Sequence, residues 1–213
     1  IIIPVLKIND YILEEIIPAL KDQTYQNFEL IIVPNKIDKQ LSFPSWVKII
    51  ESKSQTRPVP KREMGIDHSE GVILAFIDDD AYPAKDWLEQ AVKILEDKNN
   101  NDIAAVCGPG LTPPSDNWEQ RASAWVWQTK LGAGGAGTYR CLPKQTREVD
   151  DFPTCNLIVR KKDYLKVGGF EKDFWPGEDT KLCHDLVYEL NKKIIYSPNI
   201  KVFHHRRPIF KEA

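Results

Sequence analysis

The sequence lacks the features typical of zinc-ribbon, disulfide-rich, membrane-spanning, secreted and nucleic-acid-binding proteins. None of its four cysteines forms a Cys-x-x-Cys pair, which argues against a zinc ribbon and a dense disulfide framework. No apolar run approaches the roughly 20 residues that a membrane span needs, and no signal peptide is recognisable. The net charge of −2, without a basic patch, excludes a general attraction to nucleic acid. We therefore expect a reducing, cytoplasmic setting and no nucleic-acid partner.

Length and composition fit one α/β domain with a substantial core. The chain has 213 residues, of which 42% are hydrophobic and 28% are charged. It begins at Ile1, inside a predicted strand, and ends at Ala213 without a helix stop signal. We expect it to be a trimmed fragment of a longer protein, so the absence of a membrane segment applies only to this piece.

Apolar β-branched runs alternate with amphipathic stretches through the first half. This pattern predicts two helices, 61–69 and 86–96, and five strands, which are residues 1–5, 28–33, 47–51, 72–77 and 103–107. A further helix is predicted from Tyr11, capped by Asn9 or Asp10 and kinked or shortened by Pro18. Such alternation predicts a mostly parallel sheet with helices on both faces, whose ligands bind at the carboxyl ends of the strands.

The second half is less regular. We predict a linker at 108–114, a helix at 116–131 and, at 132–137, a Gly-rich hinge or lid. That Gly-rich run lacks the preceding strand and following Lys-Ser/Thr of a phosphate-binding loop. Trp125 and Trp127 are expected to pack in the core, and the alternative is contact with a sugar face or a membrane surface. The remaining elements are a strand, two helices and two edge strands, at 154–160, 161–167, 179–191, 194–196 and 201–205.

Three consecutive aspartates, Asp78, Asp79 and Asp80, directly follow the apolar run 72–77. Mutual repulsion makes such a cluster costly unless a cation or a set of donors lies opposite it. Alternation along an extended chain puts Asp78 and Asp80 on one side and Asp79 on the other. Two carboxylates on one side suit Mg²⁺ or Mn²⁺ bound together with substrate phosphates. The alternative interpretation is a solvated acidic turn.

Three later features each have a functional and a structural interpretation. Residues 177–179, Gly-Glu-Asp, begin a predicted helix, and could supply a general base or simply cap the helix. Residues 204–207, His-His-Arg-Arg, could supply a metal ligand and phosphate contacts, although a lone histidine is usually structural. Arg62, at a helix start, could contact a phosphate or nucleobase or be a solvated helix residue.

Six segments in this order resemble the family 2 glycosyltransferases, and the resemblance covers nearly the whole chain. The segments are residues 1–5 (IIIPV), 22–33 (DQTYQNFELIIV), 61–66 (KREMGI), 76–80 (FIDDD, a D-x-D motif), 167–170 with 177–183 (VGGF and GEDTKLC), and His204. The resemblance implies a GT-A type, Rossmann-like three-layer α/β/α fold. It also implies one domain over 1–213, with a nucleotide-sugar-binding half at 1–110 and an acceptor-binding half at 111–213.

The activity implied is metal-dependent and inverting. A sugar would move from a nucleotide-diphospho-sugar to a glycan or lipid-linked acceptor, at the inner face of a membrane contacted through parts outside this chain. The resemblance implies catalytic roles for Asp179, as general base, and Glu178. It implies Mn²⁺ or Mg²⁺ ligation by Asp78, Asp80 and His204. Nucleotide-sugar contacts are implied for Pro4, Asn35, Arg62, Asp78 and Asp79, and acceptor contacts for Trp175 and Gly177.

The sequence departs from the family after the second strand, where an expected aspartate is missing and Asn35 could read the base edge instead. Two alternatives remain open. A nucleotidyltransferase also uses metal-bound aspartates, but residues 6–9 lack its Gly-rich signature. A degenerate binding module would have no need to retain Asp78, Asp80, Asp179 and His204 together.

Overall fold

Strands and helices alternate along this protein in a computed structural model that describes residues 1–38, 40–53, 55–171, 174 and 176–208. The strands are β1 (Ile2–Pro4), β2 (Leu30–Val33), β3 (Val47–Ile49), β4 (Ile73–Ile77), β5 (Ala81–Pro83), β6 (Ile103–Cys107), β7 (Gly110–Leu111), β8 (Arg147–Val149), β9 (Asn156–Arg160), β10 (Lys193–Tyr196) and β11 (Val202–His204). The helices are α1 (Ile17–Lys21), α2 (Pro58–Asp67), α3 (Trp87–Leu95), α4 (Trp118–Trp127), α5 (Lys130–Arg140), α6 (Lys161–Lys166) and α7 (Glu178–His184). A π-helical segment, Tyr11–Ile16, precedes α1, and another, Asp185–Glu189, follows α7.

The main sheet has eight strands in the order β3-β2-β1-β4-β9-β6-β10-β8. Strands β3, β2, β1 and β4 run parallel, as do β6 and β10. Strand β9 lies antiparallel between β4 and β6, and β8 lies antiparallel to β10. Four of the seven pairings are therefore parallel, which confirms the predicted mostly parallel sheet.

Apolar side chains project from both faces of the main sheet and form a buried cluster on each. In β1 and its flanks, Ile1 and Ile3 join one buried cluster and Ile2 joins the other, as period-2 alternation requires. The first cluster packs the N-terminal helices and α3 through Ile12, Ile16, Leu20, Trp87 and Leu95. The second packs the helices of the opposite face through Val59, Ile66, Tyr164, Leu182 and Leu186. Helices on both faces confirm the three-layer α/β/α fold.

The first helix begins where the sequence predicts. Asn9 Oδ1 accepts the backbone N–H of Ile12 at 3.0 Å, which satisfies one of the unpaired donors at the helix start. Pro18 lies in the first turn of α1, directly after the π-helical segment.

The predicted edge strands are not at edges. Strand β10 lies between β6 and β8, and β11 lies in the middle of a second sheet with the order β5-β11-β7. Their neighbours β5, β7 and β8 are only two or three residues long. Such short strands leave no readable period in a sequence, so the prediction was wrong.

Residues 132–137, the predicted Gly-rich hinge or lid, lie within α5 and do not form the loop that the composition predicts. Thr129 caps this helix by accepting the N–H of Gly132 at 3.1 Å, and the helix breaks at Ala133 and Gly134. A Cβ at Gly132 would lie 2.0 Å from the carbonyl oxygen of Val126, and one at Gly137 would lie 2.2 Å from that of Trp127. The glycines therefore allow α5 to pack closely against the end of α4.

The prediction that Trp125 and Trp127 pack in the core is wrong as well. They are 66% and 50% exposed, on the same helix as Trp118 at 73%. Among the described residues, no helix has the length and apolar character to cross a membrane.

Candidate active site

A cleft of about 540 Å³ opens at the carboxyl ends of β1 and β4. Most predicted site residues line it, namely Pro4, Arg62, Asp78, Asp79, Asp80, Gly177, Glu178, Asp179 and His204. A cavity of about 570 Å³ lies at the opposite edge of the sheet, but its Lys48 is paired with Glu29 and Glu70. The predicted catalytic and metal-binding side chains therefore lie at the carboxyl edge, where ligands of α/β sheets bind.

Asp78, Asp80 and His204 form a candidate metal site. Each offers one ligand atom, and these atoms all lie within 4.8 Å of one another. Asp78 and Asp80 reach the same point because they alternate with Asp79 after β4, as the sequence predicts. Two carboxylate oxygens and an imidazole nitrogen are a donor set that a divalent cation can use.

The short strand β5 brings His204 to the aspartates. This strand begins directly after Asp80 and pairs antiparallel with β11, in a register that sets His204 opposite Ala81. The backbone N–H of His205 also donates to the carbonyl oxygen of Asp80 at 3.0 Å. Consequently His204 Nε2 lies 3.1 Å from Asp80 Oδ1.

Asp80 and His204 are tightly coupled electrostatically. Burial alone would raise the pKa of Asp80, but the hydrogen bond and positive charge of His204 lower it. Burial alone would lower the pKa of His204, but hydrogen bonds with Asp80 and Cys155 raise it to about 10. Asp80 therefore stays ionised, the form in which a carboxylate binds a cation.

Asp79 faces away from this pair. Its Oδ2 accepts a hydrogen bond from Asn9 Nδ2 at 3.1 Å. Burial, together with the neighbouring charges of Asp80 and Asp78, raises its pKa to about 6. Asp79 is therefore held less strongly in the ionised form than Asp80.

Arg62 links the aspartates to the start of α7. Its Nη1 lies 3.0 Å from Glu178 Oε1, and its Nη2 lies 3.5 Å from Asp78 Oδ1. The guanidinium carbon also lies 5.6 Å from the centre of the Phe170 ring, within cation–π distance. Arg62 is buried, so the interpretation as a solvated helix residue is wrong.

Glu178 and Asp179 are neighbours in very different surroundings. Glu178 is buried in its ion pair with Arg62, whereas Asp179 is only half-buried on the wall of the cleft. Burial raises the pKa of Asp179, against the N–H of Thr180, and the charge of Glu178 raises it further. Gly177, just before them, has a φ of +117°, in the left-handed region that favours glycine.

One predicted site residue lies elsewhere. Asn35 follows β2 and is not among the described residues that line the cleft, so its contact with a nucleobase stays a prediction. Trp175 lies outside the described residues.

The two histidines of the predicted pair have different partners. His204 joins the metal cluster, whereas His205 is buried and hydrogen-bonds to Asp116 and, at 2.8 Å, to Glu15 Oε2. Sequence reasoning missed Cys155, which lines the cleft beside His204. Cys155 lies just before β9. No pattern in the sequence predicts that β9 pairs antiparallel with β4 within the main sheet.

A three-layer α/β/α sheet with an aspartate cluster at its carboxyl edge is typical of enzymes that bind nucleotides. The chain belongs to glycosyl transferase family 2, whose family model matches residues 1–167. Glu178, Asp179 and His204 lie beyond the matched residues, and the fold brings them into the same cleft as Asp78 and Asp80. The family match favours the glycosyltransferase prediction over a nucleotidyltransferase.

Curated relatives agree with the family. Glycosyltransferase AglE of Haloferax volcanii is 31% identical over 203 residues, covering 89% of this chain and 62% of the relative. Glucosyl-dolichyl phosphate glucuronosyltransferase of the same organism is 23% identical over 209 residues, covering 89% and 63%. Pre-mycofactocin glycosyltransferase of Mycobacterium tuberculosis is 26% identical over 163 residues, covering 76% and 33%. The chain thus spans less than two thirds of the length of these relatives.

Solved structures confirm the predicted GT-A fold. A mannosyltransferase from Pyrobaculum calidifontis, in complex with GDP-Man and Mn²⁺, aligns with a TM-score of 0.63 at 20% identity, over 96% of this chain and 56% of that one. S. aureus TarS in complex with UDP aligns with a TM-score of 0.65 at 17% identity, over 93% and 57%.

Proposed function

We propose that this protein is a metal-dependent, inverting glycosyltransferase that moves a sugar from a nucleotide-diphospho-sugar to a hydroxyl of a glycan or lipid-linked acceptor. The observation that carries this proposal is the convergence of Asp78, Asp80, His204 and Asp179 on one cleft. The leaving diphosphate needs its charge balanced, and the attacking hydroxyl needs a base. This cleft holds side chains suited to both tasks.

Asp78, Asp80 and His204 would hold the metal ion, which would displace the proton that His204 carries in its absence. The imidazole in this set favours Mn²⁺ over Mg²⁺, because Mg²⁺ prefers oxygen ligands alone. A bound ion would neutralise the donor diphosphate and stabilise it as the leaving group. The likeness to a mannosyltransferase in complex with GDP-Man and Mn²⁺ supports this assignment.

The donor would lie against residues 1–110, with Pro4 and Asp79 on the wall of the cleft and Asn35 at the end of the neighbouring strand. The family resemblance also implies a contact from Arg62, but both of its terminal nitrogens face carboxylates, so we do not assign it to the donor. Arg207 also lines the cleft, and its charge acts on Asp79 and Asp80, so it would meet a donor phosphate.

Asp179 would act as the general base. It would take the proton from the acceptor hydroxyl while that oxygen attacks the anomeric carbon and the bond to the diphosphate breaks. A single displacement of this kind inverts the anomeric configuration. Glu178 is already closed into an ion pair with Arg62, so its contribution would be to orient the helix rather than to accept the proton.

The acceptor would lie against residues 111–213. Gly177 and Trp127 line the cleft, and Trp118 and Trp125 extend an exposed aromatic surface along α4. The dolichyl phosphate in the name of one relative supports a lipid-linked acceptor. We infer that the protein works at the cytoplasmic face of a membrane, contacted through the remainder of the protein, and Trp175 is our further candidate for acceptor contact.

A donor screen followed by product analysis tests this function. UDP-, GDP- and dTDP-sugars are incubated with wild-type protein and Mn²⁺, and release of nucleoside diphosphate is measured with and without simple glycoside acceptors. Proton NMR of the product then reports the new anomeric configuration. An inverted product from one donor class is expected. Retention of configuration would contradict the role of Asp179, and wild-type protein inactive with every donor would contradict the enzymatic proposal.

A further inference from the structure

Two consecutive residues of α2 hold both ends of the segment that leads to Asp179. Glu63 Oε1 accepts the backbone N–H of Phe170 at 3.2 Å, and the Tyr164 hydroxyl donates to the same oxygen. One residue earlier, Arg62 pairs with Glu178 at 3.0 Å. The chain between Phe170 and Glu178 is thus tied to one helix at each end.

The ion pair of Arg62 and Glu178 is almost sealed from solvent. The two side chains are 4% and 6% exposed. Removing one partner from a buried pair leaves an uncompensated charge, which is strongly unfavourable. Because Glu178 is the first residue of α7, this pair fixes the start of the helix that carries Asp179.

The same guanidinium also reaches the aspartate cluster. Its Nη2 lies 3.5 Å from Asp78 Oδ1, at the end of β4. Both terminal nitrogens of Arg62 therefore face carboxylates, one on the donor side and one on the acceptor side. The side chain is 4% exposed, and its Nε is buried without a partner among the described residues, so little of the guanidinium can be reached by a nucleotide.

We propose that Arg62 is a positioning residue for glycosyl transfer, which sets the place of Asp179 relative to Asp78 by holding Glu178. This inference rests on the proposed function. Arg62 acts through Glu178 and does not itself contact the donor. Its planar fork can serve two carboxylates at once, which the single ammonium group of a lysine cannot do in the same geometry.

The experiment measures kcat, the KM of the donor and the KM of the acceptor for wild-type protein, Arg62→Lys, Arg62→Met, Glu178→Met and the double variant Arg62→Met/Glu178→Met. We expect kcat to fall by about 100-fold in Arg62→Lys while the donor KM stays within about threefold, since misplacement of a base by about 1 Å has that effect. The double variant should lose no more kcat than the worse single variant, because both substitutions remove one interaction.

A pH profile separates positioning from mere structural support. The positive charge of Arg62 lowers the pKa of Asp179, so in Arg62→Met the acid limb of kcat/KM should move to higher pH. Arg160→Met is the matched control, because Arg160 donates to the carbonyl oxygens of Ile103 and Asn100 at the opposite edge of the sheet. It should lower stability without moving the acid limb.

If Arg62 contacts the nucleotide instead, the donor KM rises and the losses of the two single variants multiply in the double variant. That result overturns this inference and leaves the proposed function intact. Wild-type protein that transfers no sugar overturns both. If Arg62→Met does not fold, the double variant replaces it in the comparison, because it buries no unpaired charge.

Discussion

The indole N–H of Trp87 donates to Asn156 Oδ1 at 2.8 Å, and both side chains are fully buried. The amide of Asn156 donates in turn to the carbonyl oxygens of Gly108 at 2.8 Å and Ile200 at 2.7 Å. Gly108 follows β6, and Ile200 precedes β11, the strand that carries His204. One side chain at the start of β9 therefore joins the main sheet to the small sheet beside the candidate active site.

Asn156→Leu should destabilise the protein strongly. Three buried groups lose their partner, and each costs about 1–3 kcal/mol. The sum is at least about 3 kcal/mol, which corresponds to a fall in Tm of roughly 10 °C for a chain of this size. Thermal unfolding followed by circular dichroism measures the shift. Asn101→Leu is the control, because the Asn101 side chain donates to the exposed carbonyl oxygen of Lys98 in a turn, and its loss should change stability by less than about 0.5 kcal/mol. Equal shifts in the two variants would contradict this account of Asn156.

Asp179→Asn should abolish transfer without loss of stability at neutral pH. General-base catalysis contributes about 10²–10⁴-fold to rate, so kcat should fall by at least about 100-fold. The raised pKa of Asp179 means that the unfolded chain releases this proton first as pH rises. The stability contribution of Asp179 is therefore present below the unfolded pKa and is lost as pH rises through the folded pKa. At pH 7 the variant should unfold at the same temperature as wild type or higher, and a large fall in Tm would indicate that Asp179 is structural.

The pH dependence of wild-type activity should follow the ionisation of the Asp179 carboxyl group. An ionised base is required, so kcat/KM should fall as pH decreases through the pKa of Asp179. Because burial raises that pKa, the acid limb should lie above the ordinary aspartate value of about 3.9. Initial rates at saturating Mn²⁺ from pH 4 to 8 measure the midpoint. A limb at or below the ordinary value would contradict the burial of the base.

Two glycine substitutions test whether residues 132–137 form a packed helix. Gly132→Ala should destabilise the protein, because the new Cβ would lie 2.0 Å from the carbonyl oxygen of Val126. Gly135→Ala meets no atom within 4 Å and should be neutral or stabilise the protein by up to about 1 kcal/mol, since alanine favours a helix. Chemical unfolding measures both changes. Two neutral substitutions would return this stretch to the flexible lid that the composition predicts.

The parallel strands could be predicted from sequence because each is an apolar, β-branched run followed by polar residues. The aspartate triplet could be placed at a carboxyl edge for the same reason, and strict alternation separated Asp79 from Asp78 and Asp80. These inferences depend only on local patterns, and they located the aspartate part of the candidate site.

The rest of the candidate site depends on contacts that no local pattern reveals. His204 reaches Asp80 through the three-residue strand β5, whose register with β11 is set by tertiary structure. The pairing of Arg62 with Glu178 joins residues 116 positions apart. The Gly-rich run predicts flexibility by composition, yet close packing of α5 on α4 requires those same glycines.

The most direct test of the central claim is calorimetric titration of the nucleoside diphosphate of the active donor into wild-type protein, Asp80→Asn and Asp179→Asn, with and without Mn²⁺. The account predicts Mn²⁺-dependent binding by wild type, loss of that dependence in Asp80→Asn, and binding close to wild type in Asp179→Asn. Binding by wild type that is indifferent to Mn²⁺, or retained Mn²⁺ dependence in Asp80→Asn, would contradict a metal site at Asp78, Asp80 and His204.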